Sequence, residues 1–192
     1  FFKALLFLGA GAVIHSVHHA QKHAGYEGDP QDIRYMGGLR KKLPITFMTF
    51  LIACLAIAGI PGFSGFFSKD EIIWMAFANG YTAVGVVAMI AAGMTAFYMF
   101  RLLYMTFYGE WRGRRDQEDH LKESPKSMTF PLMVLAVLSI IGGWIMIPKA
   151  LGGGMQFEHF LHPVFEFANS LGELHEHHSI SAEYTVMAIS IL

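Results

Sequence analysis

The chain has 192 residues, of which 54% are hydrophobic and only 15% charged, against about 25% charged in ordinary globular proteins. With a mean hydropathy of +0.41, this composition fits lipid as its solvent. A net charge of −1 argues against a nucleic-acid binder, because a phosphate-reading surface needs a basic excess. The single cysteine, Cys54, excludes an internal disulfide framework and reads as a small buried hydrophobe.

A membrane-spanning helix needs about 20 apolar residues, and the chain divides on that measure. Residues 1–19 read as the tail of one span, ending in a histidine cluster, and 20–43 as a polar, turn-rich loop. Residues 44–79 are apolar but interrupted in the middle. Residues 81–108 form a span ending in aromatics (Phe97, Tyr98, Phe100, Tyr104, Phe107, Tyr108, then Trp111) that resembles an interfacial belt. A charged loop follows at 109–126, a span at 127–147, a Gly- and His-rich loop at 148–178 and the start of a last span at 179–192. No signal peptide is visible. The apolar runs FFKALLFLGAGAVI and YTVMAISIL at the two ends read as cut spans, so the expectation is an all-α, polytopic transmembrane helix bundle, incomplete at both ends.

Cation placement decides how 44–79 crosses. Ten of the 14 Lys and Arg residues lie in two loops: Lys22, Arg34, Arg40, Lys41 and Lys42, then Arg112, Arg114, Arg115, Lys122 and Lys126. One crossing puts both loops on the same side, as the positive-inside rule requires, and two crossings separate them. The loop 148–178 then lies outside, with Lys149 against Glu158, Glu166, Glu173 and Glu176. Residues 44–79 are therefore expected to be one discontinuous helix, with the basic loops cytoplasmic. Gly59, Pro61, Gly62 and Gly65 supply the break, since proline removes a donor and the glycines lower helix propensity. Unpaired backbone at membrane depth survives only when buried in protein or facing water, so a polar cavity is expected beside it.

Four cations remain. Lys149 after Pro148 reads as an anchor, and Arg101, about two turns from its helix end, can snorkel to the headgroups. Lys3 lies roughly 20 Å from the loop end of its helix, deep in the bilayer, and Lys69 sits just past the break beside Asp70 and Glu71. Intramembrane ionisable residues are functional by default. Desolvation favours the neutral form of a lysine and a nearby carboxylate favours the charged one, so Lys3 and Lys69 are proton-relay candidates, with Asp70 as a tuning partner. The structural alternative has Ser68, Asp70 and Glu71 in the first turn of a restarting helix. It accounts for the acids, but puts Lys69 at the wrong end of the dipole.

His15, His18, His19 and His23 recur at i, i+3, i+4 and i+8, which places them along one helical stripe. They read as a proton path from Lys3 to the cytoplasmic edge, as a metal site lacking a completing ligand, or as interfacial histidines in water. The second cluster, His159, His162, His175, His177 and His178, reads as part of a solvated outer loop. No dinucleotide, P-loop, haem, iron–sulfur or nucleophile–base motif is present.

The strings FFKALLFLGAGAVIH, MGGLRKKLPITF and AIAGIPGFSGFFSKDEI resemble the antiporter-type membrane subunits of respiratory complex I, in particular the L or chain 5 branch. The resemblance is specific over residues 1–80 and compatible over 81–192. It implies that residues 1–108 are the C-terminal part of a proton-translocation domain, containing the second of two inverted repeats. Residues 109–126 are then a cytoplasmic loop, and 127–192 accessory spans. It implies a relay through Lys3, His15, Lys69 and Asp70; from the residues themselves, His18, His19 and Glu71 are secondary relay candidates, and no metal site is assigned. It further implies that NADH, FMN, iron–sulfur clusters and quinone belong to partner subunits, that a neighbouring antiporter-like subunit is one partner, and that the membrane is the bacterial inner membrane rather than the mitochondrial one. The large subunit of a multisubunit Na+/H+ antiporter, or of a related membrane hydrogenase or inorganic-carbon uptake complex, is the alternative. The first repeat is missing from the sequence, so this stretch would not pump alone.

Overall fold

The computed structural model describes residues 1–26, 28–146 and 160–164. The expected outer loop and last span lie almost wholly outside these residues, as do Pro148, Lys149 and all of the second histidine cluster except His162. Among the described residues there is no strand. Among the described residues up to Met146, six α-helices follow one another: α1 Phe2–His23, α2 Pro44–Ala58, α3 Ser64–Ala78, α4 Thr82–Phe107, the single turn α5 Arg115–Glu118, and α6 Lys126–Ile141 with a 3-10 extension Gly142–Met146. Residues 59–63 separate α2 from α3.

Helix α2 is the centre of the bundle, packed against α1, α4 and α6. Phe47, Phe50, Ala53 and Cys54 are buried in one core with Leu5, Val13 and Val17 of α1, Leu103 and Phe107 of α4, and Leu132 and Ala136 of α6. Between membrane helices lipid supplies no hydrophobic drive, so close packing has to hold them together, and small residues permit the approach. At Gly9 of α1, an added Cβ would lie 2.9 Å from the Phe50 ring. The outer faces carry exposed apolar side chains, among them Val84, Val87, Met94 and Phe97 on α4 and Phe130, Val134 and Val137 on α6. Thr82–Phe107 and Lys126–Ile145 are each long and apolar enough to cross a membrane.

The two basic loops meet at one end of the bundle. The amides of Gly38 and Arg40 donate to the carbonyls of Tyr108 and Phe107, both at 3.1 Å. The guanidinium of Arg112 donates to the carbonyls of Arg34 and Ile33 and, at 2.6 Å, of Met105. Lys42 Nζ donates to the Glu118 carbonyl. The path α2–α3–α4 thus starts and finishes at the same end. In the first loop, hydrogen bonds from Arg34 hold the Asp32 carboxyl below its ordinary pKa.

The segment 119–125 reaches down beside α1 and α2. Ser16 Oγ donates to the Lys122 carbonyl at 2.7 Å, and Ser124 Oγ to that of Ala12 at 3.0 Å. Glu123 caps α2, its carboxylate accepting from the Ile45 amide at 2.7 Å, the Thr46 amide at 3.3 Å and Thr46 Oγ1 at 2.6 Å. The first amides of a helix have no internal acceptor, and a negative charge suits that end of the dipole.

Two outcomes follow. Glu123→Ala should destabilise the assembled subunit by about 1–2 kcal/mol, read as a lower midpoint in detergent thermal denaturation, with Glu123→Gln losing less. Gly65→Ala should cost about 1–3 kcal/mol, because its Cβ would be driven into the Ala56 carbonyl oxygen. Gly11→Ala, where nothing lies within 4 Å, should be tolerated in the same assay.

Candidate functional site

The chemistry gathers at the interruption after α2. Gly59 takes the left-handed conformation at φ 82°, and the amides of Gly59 and Ile60 turn back to Ala56 and Leu55. A φ in that region is easy for glycine and costly for residues with a Cβ. Pro61 and Gly62, at φ 92°, carry the chain across the gap. Gly65 has a different part from the one expected: it lies inside the first turn of α3, where its missing Cβ lets that turn approach the Ala56 carbonyl.

Lys69 Nζ donates to the Ala58 carbonyl at 2.6 Å. The placement rules out the structural alternative, in which Ser68, Asp70 and Glu71 open the helix. Helix α3 begins at Ser64 and has no acidic residue in its first turn, so Ser68, Asp70 and Glu71 are not its caps. Lys69 stands in its second turn and sends its ammonium to the C-terminal end of α2. That end carries orphan carbonyls and the negative pole of the dipole, where a cation is favoured. The site also explains Gly59, since a Cβ there would collide with the Lys69 side chain. Asp70 is buried, at 1% exposure, and is the charged neighbour that acts on Lys69. Glu71 is half-buried.

The α1 candidates lie elsewhere. Lys3, His15, His18 and His19 are all exposed. Residues 3, 7, 11, 15, 19 and 23 share an i+4 ridge, and the exposed Phe7 continues the line between the lysine and the histidines. Beside Lys3, Phe2 approaches the position of Gly65, and Phe1 that of Gly142. The start of α1 therefore sits at the level of the break, while its histidine end reaches the basic loops. The structure brings Lys69, Asp70 and the broken backbone together and leaves the α1 candidates on a separate face.

Sequence reasoning missed two participants. Glu123 acts on α2 from 78 residues away, with no local pattern to reveal it. His120 stacks on His23, with ring centroids 5.5 Å apart and planes at 20°. A cavity of about 240 Å³ between the loops is lined by Gln21, Tyr26, Asp29, Arg112 and Gln117 among others, and includes none of the predicted site residues.

Comparison with known proteins supplies the family. Residues 1–95 match the transmembrane family described as NADH:quinone oxidoreductase/Mrp antiporter. The chain is 44% identical over 97% of its length to NAD(P)H-quinone oxidoreductase chain 5 of a Picosynechococcus species. It is 47% identical over 79% and 85% of its length to NADH-quinone oxidoreductase subunit L of Rhodobacter capsulatus and of Mycobacterium tuberculosis. It spans 29%, 22% and 24% of these three relatives. All three are named for the quinone oxidoreductase, so the Na+/H+ antiporter alternative is not favoured. The chain belongs to the antiporter-like transmembrane family of NADH:quinone oxidoreductase, on the branch named subunit L or chain 5.

Proposed function

We propose that this chain forms part of a half-channel that carries protons across the membrane, driven by electron transfer from NADH to quinone in partner subunits. The observation that carries the reading is Lys69, whose ammonium is held on the Ala58 carbonyl at a helix interruption, beside buried Asp70. The carbonyl and Asp70 favour the charged lysine, and low polarity around it favours the neutral one. A shift of either partner changes which form prevails and so takes up or releases a proton. Helices α2 and α3 act as one discontinuous helix that crosses once, in the second inverted repeat. Support comes from the meeting of the two basic loops at one end of the bundle. Lys3 and His15 continue the path on α1, and His18, His19 and Glu71 contribute secondary sites.

No redox step is assigned to this chain: NADH, FMN, iron–sulfur clusters and quinone belong to the partners, which include a neighbouring antiporter-like subunit. The membrane is the bacterial inner membrane.

The test separates proton exchange from simple helix capping. In inverted vesicles holding the whole complex, Lys69→Ala should reduce proton pumping at least about tenfold and slow NADH oxidation. Lys69→Arg keeps a cation for the Ala58 carbonyl but does not deprotonate, so it should fail as well. Normal pumping by Lys69→Arg would reduce Lys69 to a structural cap, and normal pumping by Lys69→Ala would leave the chain a scaffold.

A further inference from the structure

The proposed path has to exchange protons with water at the loop end of α1, and the structure places there a group from a different part of the chain. His19 and His23 lie one turn apart on the exposed ridge, with ring centroids 4.4 Å apart. His120, from the segment between α5 and α6, extends the line by stacking on His23 at 5.5 Å. His15 precedes them by one turn, and all four imidazoles are exposed. We propose that His19, His23 and His120 form a proton-collecting cluster, in which His120 takes protons from water and passes them through His23 and His19 toward His15. This inference rests on the relay reading of the previous section.

Three observations favour collection over packing or metal binding. The segment carrying His120 is already tied to α1 by the Ser16 and Ser124 hydrogen bonds, so an exposed ring stack is not needed to hold it. Among the described residues, no three His, Cys, Asp or Glu side chains are arranged to hold one metal ion. The charged groups nearby are mixed: Lys122 acts on His19, Lys22 adjoins His23, and Glu118 and Asp119 precede His120. No carboxylate forms an ion pair with these imidazoles among the described residues. Adjacent protonated rings repel one another. Each transfer, direct or through water, breaks an N–H bond on one ring and makes one on the next. The neutral donor ring then regains its proton from solvent. An imidazole, which titrates near neutrality, suits that exchange.

The experiment uses inverted vesicles containing the whole complex, whose loop side faces the medium, under weak buffering. His120→Asn and the double variant His23→Asn/His120→Asn should pump normally near pH 6 and lose about twofold or more near pH 8, where free protons are scarce. Added imidazole, a diffusible carrier, should restore the rate. A wild-type pH profile would overturn the inference. So would a loss equal at every pH that imidazole does not restore, since that marks a structural role. Lys69→Ala, measured alongside, keeps the two readings apart: if it pumps normally the relay itself fails, and if it alone stops pumping only the collecting cluster fails.

Discussion

Everything near the site depends on what happens to the backbone where α2 stops. A helix end leaves its last carbonyls without an internal partner. In this fold, backward-turning amides and one ammonium answer that need. Gly59 makes the sharp turn possible, Gly65 lets the next helix come close enough, and Lys69 supplies the charge. A hydrogen bond to a charged group contributes about 1.5–3 kcal/mol, enough to link the lysine's ionisation to the shape of the helix end.

The opposite end of α2 is held in a complementary way. Glu123 offers a carboxylate to its first amides, so a negative charge meets the positive pole and a positive charge meets the negative pole. Both come from other segments, and both act on the helix that α1, α4 and α6 pack against. Neutralising either charge weakens the fixation of the central helix without removing any apolar contact. Charge state and helix position are thus connected by the shortest available route, a direct contact.

Much of this was legible in the sequence. Apolar run lengths gave the helices, and the glycines and proline at 59–62 gave the interruption to within a few residues. The segregation of ten cations into two loops anticipated that these loops would share one end. What the sequence could not show was the partner of Lys69. The capping alternative put it on the wrong pole of its own helix, whereas the pole it meets belongs to the preceding helix, and only three-dimensional packing brings the two together. Glu123 and His120 were invisible for the same reason, because capping and ring stacking between distant segments leave no periodic trace. Gly65 was assigned to the break for its composition, whereas its role is steric, set by the Ala56 carbonyl.

The loop hydrogen bonds carry one more consequence. Arg112 and Lys42 belong to the cation excess that biases which face of a bilayer a loop occupies, yet their charged heads are engaged with backbone carbonyls of the other loop. The same side chains are therefore suited to two tasks, as charges able to orient a chain in a bilayer and as clasps between its loops. Arginine and lysine are interchangeable for the first task, since either supplies the charge. For the second, the three carbonyls gathered by Arg112 require a planar fork that lysine does not have, so the demands of folding are stricter there than those of insertion.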